Sequence, residues 1–162
     1  MSGREWIVRV ADLKAASAPD VLVTLGLGSC IAIVLHDPVS RVGGMAHVLL
    51  PSRSLSRAVE NPGRFPQSAV PALIEQMAAL GADPRRLTAR LAGGASMFAN
   101  LVPAGSIQMG ERNVIAAREV LNRHAVPIIG EAVGGSRGRS VWFSPADGVL
   151  RVRAVGCRDV EL

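Results

Sequence analysis

The chain has 162 residues, of which 49% are hydrophobic and 19% charged, and its formal net charge is +5. This length favours one domain, here residues 1–162, and the balance of apolar to charged residues excludes a disordered chain. Aromatic residues make up only 3%, and the basic residues are scattered along the chain. Base-stacking platforms and a nucleic-acid-binding stripe are therefore not expected.

The pattern of apolar residues predicts a sheet-rich fold with two helices. The predicted strands are 6–10, 21–25, 31–35, 42–50, 88–91, 127–133, 141–143 and 149–155. One predicted helix begins near Pro71 and ends at about Leu80, and the second spans 111–124. We interpret this order as an α/β (α+β) sandwich, in which about two helices cover a mixed, mostly antiparallel sheet.

Charges near the N-terminus and the cysteine count indicate the compartment. The first dozen residues contain four charged side chains, Arg4, Glu5, Arg9 and Asp12. These charges leave no space for the apolar region of a secretory signal peptide, and no uncharged run reaches the ~20 residues of a membrane span. Two cysteines do not make a disulfide framework. We expect a cytoplasmic protein with reduced thiols.

The segments 24–30 (TLGLGSC) and 43–47 (GGMAH) concentrate the residues that carry chemistry. A dinucleotide-binding fingerprint would need a small residue at Ile31 and a helix after it, but 31–35 has the pattern of a strand. No grouping of histidine, cysteine and carboxylate residues has zinc-ligand spacing. Neither a cofactor nor a metal is expected.

A cysteine and a histidine become neighbours if the two strands after Cys30 form a hairpin. A turn at 37–40 that places His36 opposite Arg41 also places Cys30 opposite His47 on the same face. A thiolate beside an imidazolium has a depressed pKa, so such a pair would be reactive at neutral pH. A loop longer by one residue would turn the histidine to the other face unless a bulge at the following glycines corrected it.

The residues around this cysteine suit a nucleophile. Gly26 and Gly28 would let the backbone of a substrate approach, and the amides of Ser29 and of the cysteine itself would donate to an oxyanion. The hydroxyl of Thr24 would orient His47, because a third group must fix the imidazole tautomer.

The other cysteine and the other histidines have plainer interpretations. A free cysteine in an apolar stretch is usually a small buried hydrophobe, which remains an alternative for Cys30. Cys157 has no basic partner at meaningful spacing and is expected to be inert. His36 and His124 are interpreted as structural.

Five segments together resemble the CheD family, the chemoreceptor glutamine deamidases of bacterial and archaeal chemotaxis. The segments are 24–30 (TLGLGSC), 43–47 (GGMAH) with 50–51 (LP), 93–98 (GGASMF), 110–113 (GERN) and 134–139 (GGSRGR). They occur in the family's order and cover most of the chain. The resemblance implies a Cys-His-Thr triad at Cys30, His47 and Thr24, and a single sandwich similar to the catalytic domain of the cytotoxic necrotizing factor toxins.

The resemblance also implies a substrate and partners. The substrate would be a glutamine in the cytoplasmic helical bundle of a methyl-accepting receptor, converted to glutamate with release of ammonia, without cofactor or metal. The protein would then be cytoplasmic and associate with membrane-anchored receptor arrays. Two alternatives remain: a non-enzymatic regulator that binds a CheC-type phosphatase, and a second activity as a receptor methylesterase.

The polar segment 51–67 follows the histidine strand and contains Arg53, Arg57 and Arg64. Methylation regions of receptors are rich in acidic residues, so these arginines would speed encounter with the receptor. Ordinary solvated loop charges are the alternative interpretation.

Overall fold

The computed structural model describes residues 2–52, 61–98, 101, 103 and 105–162. Within these residues the chain forms ten strands and two α-helices. The strands are β1 (Glu5–Ile7), β2 (Leu13–Ser17), β3 (Val21–Leu27), β4 (Ile31–Asp37), β5 (Val42–Val48), β6 (Thr88–Gly93), β7 (Ile128–Val133), β8 (Arg139–Ser144), β9 (Val149–Ala154) and β10 (Val160–Glu161). The helices are α1 (Pro66–Ala79) and α2 (Met109–Arg123).

The strands form two five-stranded sheets that pack face to face. The outer sheet has the order β1-β3-β8-β9-β10, and the central sheet has the order β2-β5-β4-β6-β7. Only β1 with β3 and β6 with β7 are parallel within the described chain. The predicted α+β sandwich with mixed, mostly antiparallel pairing is confirmed. The sequence pattern did not show that the strands divide between two sheets.

Two apolar clusters hold these layers together. One lies between the central sheet and the helices and includes Ile33, Leu73 and Leu121, and the other lies between the two sheets and includes Val34 and Phe143. Strand β4 contributes to both clusters, and each of its seven residues is buried. This strand is therefore fixed on both faces, which matters because Cys30 directly precedes it.

Three elements differ from the sequence prediction. Helix α1 begins at Pro66, ahead of the predicted start near Pro71, because Pro66 occupies the first helical turn, where a proline costs no hydrogen bond. Strand β2 was missed since its sequence LKAAS is rich in alanine, which has a low strand preference. Strand β10 was missed since it has only two residues.

The register of the β4–β5 hairpin corrects the prediction. Asp37 pairs with Val42 and Ala32 pairs with His47, so Cys30 is not directly opposite the histidine. The turn keeps its four-residue length but lies one residue further along the chain, at 38–41. The cause is the Asp37 carboxylate, which accepts from the Val39 amide and fixes the start of the turn.

Asp37 also anchors the turn to a distant segment. Its fully buried carboxylate accepts two hydrogen bonds from Arg86, at 3.0 and 2.8 Å, and one from the Asp83 amide at 2.9 Å. The Arg86 guanidinium holds the pKa of this carboxyl well below its usual range. The hairpin register therefore depends on residues more than forty positions away.

Neither described helix has the length and apolar character that crossing a bilayer requires.

We expect Arg86→Gln to lower the unfolding midpoint by about 5–10 °C, because it leaves a buried carboxylate without its cation. A carboxyl with a depressed pKa stabilises the fold above its unfolded pKa of about 3.9, and this contribution is lost as pH falls through the folded pKa. The loss in the variant is thus full at pH 7 and shrinks below about pH 4. Thermal unfolding by circular dichroism across this range measures both effects.

Arg85→Gln is the matched control, because its exposed ion pair with Asp83 contributes little and should move the midpoint by less than about 2 °C. Equal destabilisation by the two variants would contradict the assigned role of Asp37.

Candidate active site

A hydrogen bond across the two sheets joins the predicted threonine and histidine. Thr24 lies on β3 of the outer sheet and His47 on β5 of the central sheet, and the distance from Thr24 Oγ1 to His47 Nδ1 is 2.7 Å. Both side chains are buried, with exposures of 0% and 1%. The packing of the two sheets brings these residues together from positions 23 apart in sequence.

The threonine hydroxyl fixes the tautomer of the imidazole. Thr24 Oγ1 lies 2.6 Å from the carbonyl oxygen of Val8, which can only accept. The single hydroxyl proton is therefore donated to Val8, and the threonine oxygen must accept from His47 Nδ1–H. The other ring nitrogen, Nε2, then carries a free lone pair. It is buried and has no hydrogen-bond partner among the described residues.

Cys30 lies diagonally from this histidine on the same face of the central sheet. His47 pairs with Ala32, so Cys30, which directly precedes β4, lies two residues before the residue opposite the histidine. Diagonal neighbours on one face are roughly 7–8 Å apart, closer at Cβ, which an imidazole ring can span. The cysteine packs at the edge of the inter-sheet cluster and is half-buried. The small side chain of Ala32 leaves the ring space on this face.

Burial sets the protonation of the two side chains. Burial raises the pKa of the Cys30 thiol, and its own backbone N–H partly opposes this shift. Burial lowers the pKa of His47. Both directions favour a neutral thiol beside a neutral imidazole. They oppose the thiolate–imidazolium pair that the sequence analysis inferred.

The 28–30 turn, which holds Gly28, Ser29 and Cys30, is fixed through its three carbonyl groups. Ala95 donates to the Gly28 carbonyl at 2.9 Å, and Gly94 donates to the Cys30 carbonyl at 2.8 Å. The Ser29 carbonyl accepts from a side chain described below. The backbone amides of Ser29 and Cys30 donate to no backbone carbonyl in the described ranges. The Ser29 N–H is thus available to a ligand, and so is the Cys30 N–H once it releases the cysteine's own sulfur.

Two glycines shape the approach to this turn. Gly26 has a φ of +69° at a bulge in the β3–β8 pairing, and a Cβ there would meet no atom within 4 Å. Its amide donates to Ser140 Oγ. At Gly93, with a φ of +108°, a Cβ would lie 2.3 Å from the Cys30 carbonyl oxygen. Gly26 therefore leaves open space at the surface, whereas Gly93 permits close packing behind the cysteine.

Two residues that hold the site together were not predicted. Asn113 Nδ2 donates to the carbonyl oxygens of Ser29, at 2.8 Å, and Leu49, at 3.2 Å. Arg139 donates to the carbonyl oxygens of Gly93 and Gly134. The signal was present, since both residues belong to segments that resemble the CheD family, 110–113 and 134–139. Sequence alone did not show what these side chains contact.

The remaining predicted residues lie apart from this cluster or outside the described chain. Cys157 is exposed. His36 is buried and its Nε2 lies 2.8 Å from the Pro145 carbonyl oxygen, as expected for a structural residue. Arg53 and Arg57 lie outside the described residues, whereas the Arg64 carbonyl accepts from the amides of Leu49 and Leu50, just after the histidine strand.

No three histidine, cysteine or acidic side chains come close enough to hold a metal ion in the part of the chain that the structure describes.

Comparison with known proteins identifies the family. Residues 49–154 match the model of the family described as "CheD chemotactic sensory transduction". The chain belongs to the CheD family. The matched region covers more than half of the chain and includes Asn113 and Arg139, and the resemblance inferred from five short segments is confirmed.

Curated CheD relatives align along nearly the whole chain. A protein of Desulforamulus reducens is 42% identical over 149 residues, which cover 92% of this chain and 90% of the relative. A Geobacter metallireducens protein is 46% identical over 150 residues, 91% of this chain and 92% of the relative. A Clostridium botulinum protein is 40% identical over 162 residues, the full length of both. All three are named as probable chemoreceptor glutamine deamidases.

Among solved structures, the chain is similar to the Neisseria meningitidis protein NMB0706 of the DUF152 family, with a TM-score of 0.49 and 12% identity. The similarity covers 83% of this chain and 65% of that protein.

Alkylation should report the protonation of the cysteine directly. We expect Cys30 to react with iodoacetamide with an apparent pKa above the ordinary thiol value of about 8.5, because burial disfavours the thiolate. His47→Ala should leave this profile unchanged between pH 7 and 8, since the neutral imidazole does not stabilise the anion. The measurement is the alkylation rate against pH, by mass spectrometry, in a Cys157→Ser background.

The exposed Cys157 in a Cys30→Ser background is the control and should react faster at pH 7. A Cys30 profile centred below pH 8 that rises on loss of His47 would restore the ion pair and contradict the neutral resting state.

Proposed function

We propose that the chain is a protein-glutamine deamidase, which converts glutamine side chains of methyl-accepting chemotaxis receptors to glutamate and releases ammonia. The observation that supports this most is the Thr24–His47 hydrogen bond, which leaves a bare imidazole nitrogen beside a half-buried cysteine. The printed names of the CheD relatives agree with this activity.

In the first half of the reaction, Cys30 attacks the carboxamide carbon of the glutamine. His47 Nε2 takes the thiol proton as the carbon–sulfur bond forms, so the nucleophile is generated only in the presence of substrate. The imidazolium then gives that proton to the amide nitrogen. The carbon–nitrogen bond breaks, ammonia leaves, and a thioester remains on Cys30.

In the second half, water replaces ammonia. His47 Nε2 takes a proton from a water molecule, whose oxygen attacks the thioester carbon, and returns the proton to the departing sulfur. The products are a glutamate side chain and the free thiol. The sum is one water consumed and one ammonia released, with no change in oxidation state.

Each half of the reaction places a negative charge on the carbonyl oxygen of the substrate. We assign the backbone amides of Ser29 and Cys30 as its donors, an assignment supported by their donating to no backbone carbonyl within the described chain. Gly26 and Gly28 would keep the approach to this position free of side chains. The oxyanion would thus be held by groups of the same turn that supplies the nucleophile.

The receptor segment is proposed to bind in a groove beside this turn. The groove has a volume of about 570 Å³ and reaches Gly26. Met97 and Trp142 give it apolar surface, and Arg137 and Arg139 give it positive charge. An amphipathic receptor helix with acidic residues, from the cytoplasmic helical bundle, would complement both. The protein would therefore act in the cytoplasm, at receptor arrays.

Replacing the proposed nucleophile tests the reaction. Cys30→Ala should abolish deamidation of a receptor cytoplasmic domain, seen by mass spectrometry as loss of the one-dalton change from glutamine to glutamate. Cys157→Ser should retain activity close to that of the parent. Binding of the receptor domain without any mass change by the parent would instead favour a non-enzymatic regulator of the CheC-partner type. Release of methanol from a methylated receptor would reveal the esterase activity.

Replacing the histidine and the threonine separates their roles. His47→Ala should reduce kcat nearly as much as Cys30→Ala, because it removes the base. Thr24→Val keeps the side-chain volume but loses the bond to Nδ1, so we expect kcat to fall by about 10²-fold. Thr24→Ser restores the hydroxyl and should recover most of the activity.

The acid limb of kcat/KM should lie below pH 6.5, since burial lowers the pKa of His47. An acid limb above pH 7, or a Thr24→Val variant as active as the parent, would contradict these roles.

A further inference from the structure

Asn113 has no role in the reaction described above, although it is one of the few fully buried polar residues in the described chain. It lies in the second turn of α2, in a helix where asparagine is an unfavourable residue. Its side chain leaves the helix and donates from Nδ2 to the carbonyl oxygens of Ser29 and Leu49. One amino group therefore contacts the segments that carry the cysteine and the histidine.

The bond to Ser29 acts on the peptide unit of the nucleophile. The Ser29 carbonyl and the Cys30 N–H belong to the same planar, trans peptide group, so they point in opposite directions. When Asn113 holds the carbonyl toward α2, the N–H of Cys30 must point away from the helix, toward the site. The Cys30 N–H also contacts the cysteine's own sulfur.

The bond to Leu49 fixes the other half of the site. Leu49 follows β5 two residues after His47, and its carbonyl shares the Asn113 amino group with Ser29. The distance between the cysteine turn and the end of the histidine strand is thus set by a single side chain. The N–H of Leu50, which belongs to the same peptide group as the Leu49 carbonyl, donates to the Arg64 carbonyl, and this leaves the peptide group little freedom to rotate.

The orientation of the amide group is determined by its partners. Both groups facing Nδ2 are carbonyl oxygens, so the flipped amide would place three oxygens together. The other atom, Oδ1, is buried and has no partner among the described residues. An unsatisfied buried oxygen is a cost that packing alone does not explain.

We propose that Asn113 is a positioning residue that aims the Cys30 N–H at the oxyanion of the substrate. This inference rests on the proposed acyl-transfer function of Cys30. Asn113 acts through the Ser29–Cys30 peptide and touches neither the thiol nor the substrate. Its effect is therefore mainly on the stabilisation of the tetrahedral intermediate, with a smaller effect on the sulfur through the Cys30 N–H.

The test compares two reactions of the same thiol. Alkylation by iodoacetamide forms no oxyanion, whereas deamidation and the acylation of Cys30 by p-nitrophenyl acetate both do. We expect Asn113→Ala to lower kcat for deamidation, and the rate of acylation, by about 10²-fold, the cost of losing one oxyanion donor. KM and the alkylation rate should stay within about twofold of the parent.

Asn113→Asp isolates the hydrogen bond from the packing. It keeps the volume of the side chain but places an acceptor opposite two carbonyl oxygens, so its acylation rate should fall at least as far. Val120→Ala is the matched control, because it truncates another buried residue of α2 that lies in the helix–sheet cluster. It should lose stability but keep both rates.

The outcomes separate the two proposals. Equal losses in alkylation and acylation would show that Asn113 only maintains the fold, and the inference would be overturned. Asn113-dependent acylation with no deamidation of any receptor domain by the parent would support the inference while the proposed substrate failed. A parent that p-nitrophenyl acetate does not acylate would overturn the inference, since no oxyanion would be held.

A measurement on a chain that keeps Asn113 tests the inference even if the Asn113 variants do not fold. In the Cys157→Ser variant labelled with ¹⁵N-cysteine, a single backbone amide resonance reports on Cys30. An aldehyde analogue of glutamine forms a tetrahedral adduct with Cys30, in which the carbon bonded to sulfur carries the oxyanion. Iodoacetamide forms an adduct without an oxyanion. We expect a larger downfield amide proton shift with the aldehyde. Equal shifts would overturn the inference.

Discussion

The hydrogen bond from His47 to Thr24 is the interaction on which the rest of the site depends. It crosses the interface between two sheets, so it exists only when both sheets have formed and packed in one relative position. The threonine can accept a hydrogen bond from the imidazole because its own proton goes to the carbonyl of Val8, the residue that follows β1. The backbone next to an edge strand of the outer sheet thereby determines which imidazole nitrogen carries the proton.

A threonine in this position differs physically from a carboxylate. A hydroxyl oxygen fixes the tautomer and direction of the ring but carries no charge to stabilise an imidazolium. Together with burial, which lowers the pKa of His47 and raises that of Cys30, this disfavours charge on both side chains. A neutral thiol is also protected from stray electrophiles and oxidants, which react with the thiolate.

The sequence singled out candidate site residues but did not predict their geometry. Gly-rich segments around Cys30 and His47 identified both side chains, and alternating strands predicted the sandwich. The predicted register of the β4–β5 hairpin was wrong because Asp83 and Arg86, which hold Asp37 in place, are distant in the chain. The sequence predicted a depressed pKa for Cys30, whereas burial raises it. Burial between two sheets is a tertiary property that the sequence pattern does not show. Asn113 was visible as part of a segment, but its partners Ser29 and Leu49 lie 84 and 64 residues away.

Strand β4 connects the turn that holds Cys30 to the buried ion pair of Asp37 with Arg86. Cys30 directly precedes the strand, Asp37 is its last residue, and all seven residues of the strand are buried. Side chains alternate strictly along such a strand, so one inserted or deleted residue in the solvent-facing 38–41 turn would reverse the faces of β5 against β4. His47 would then point at the helices. Surface loops usually tolerate changes in length, but a one-residue change in this turn would displace a candidate site residue at the opposite end of its hairpin.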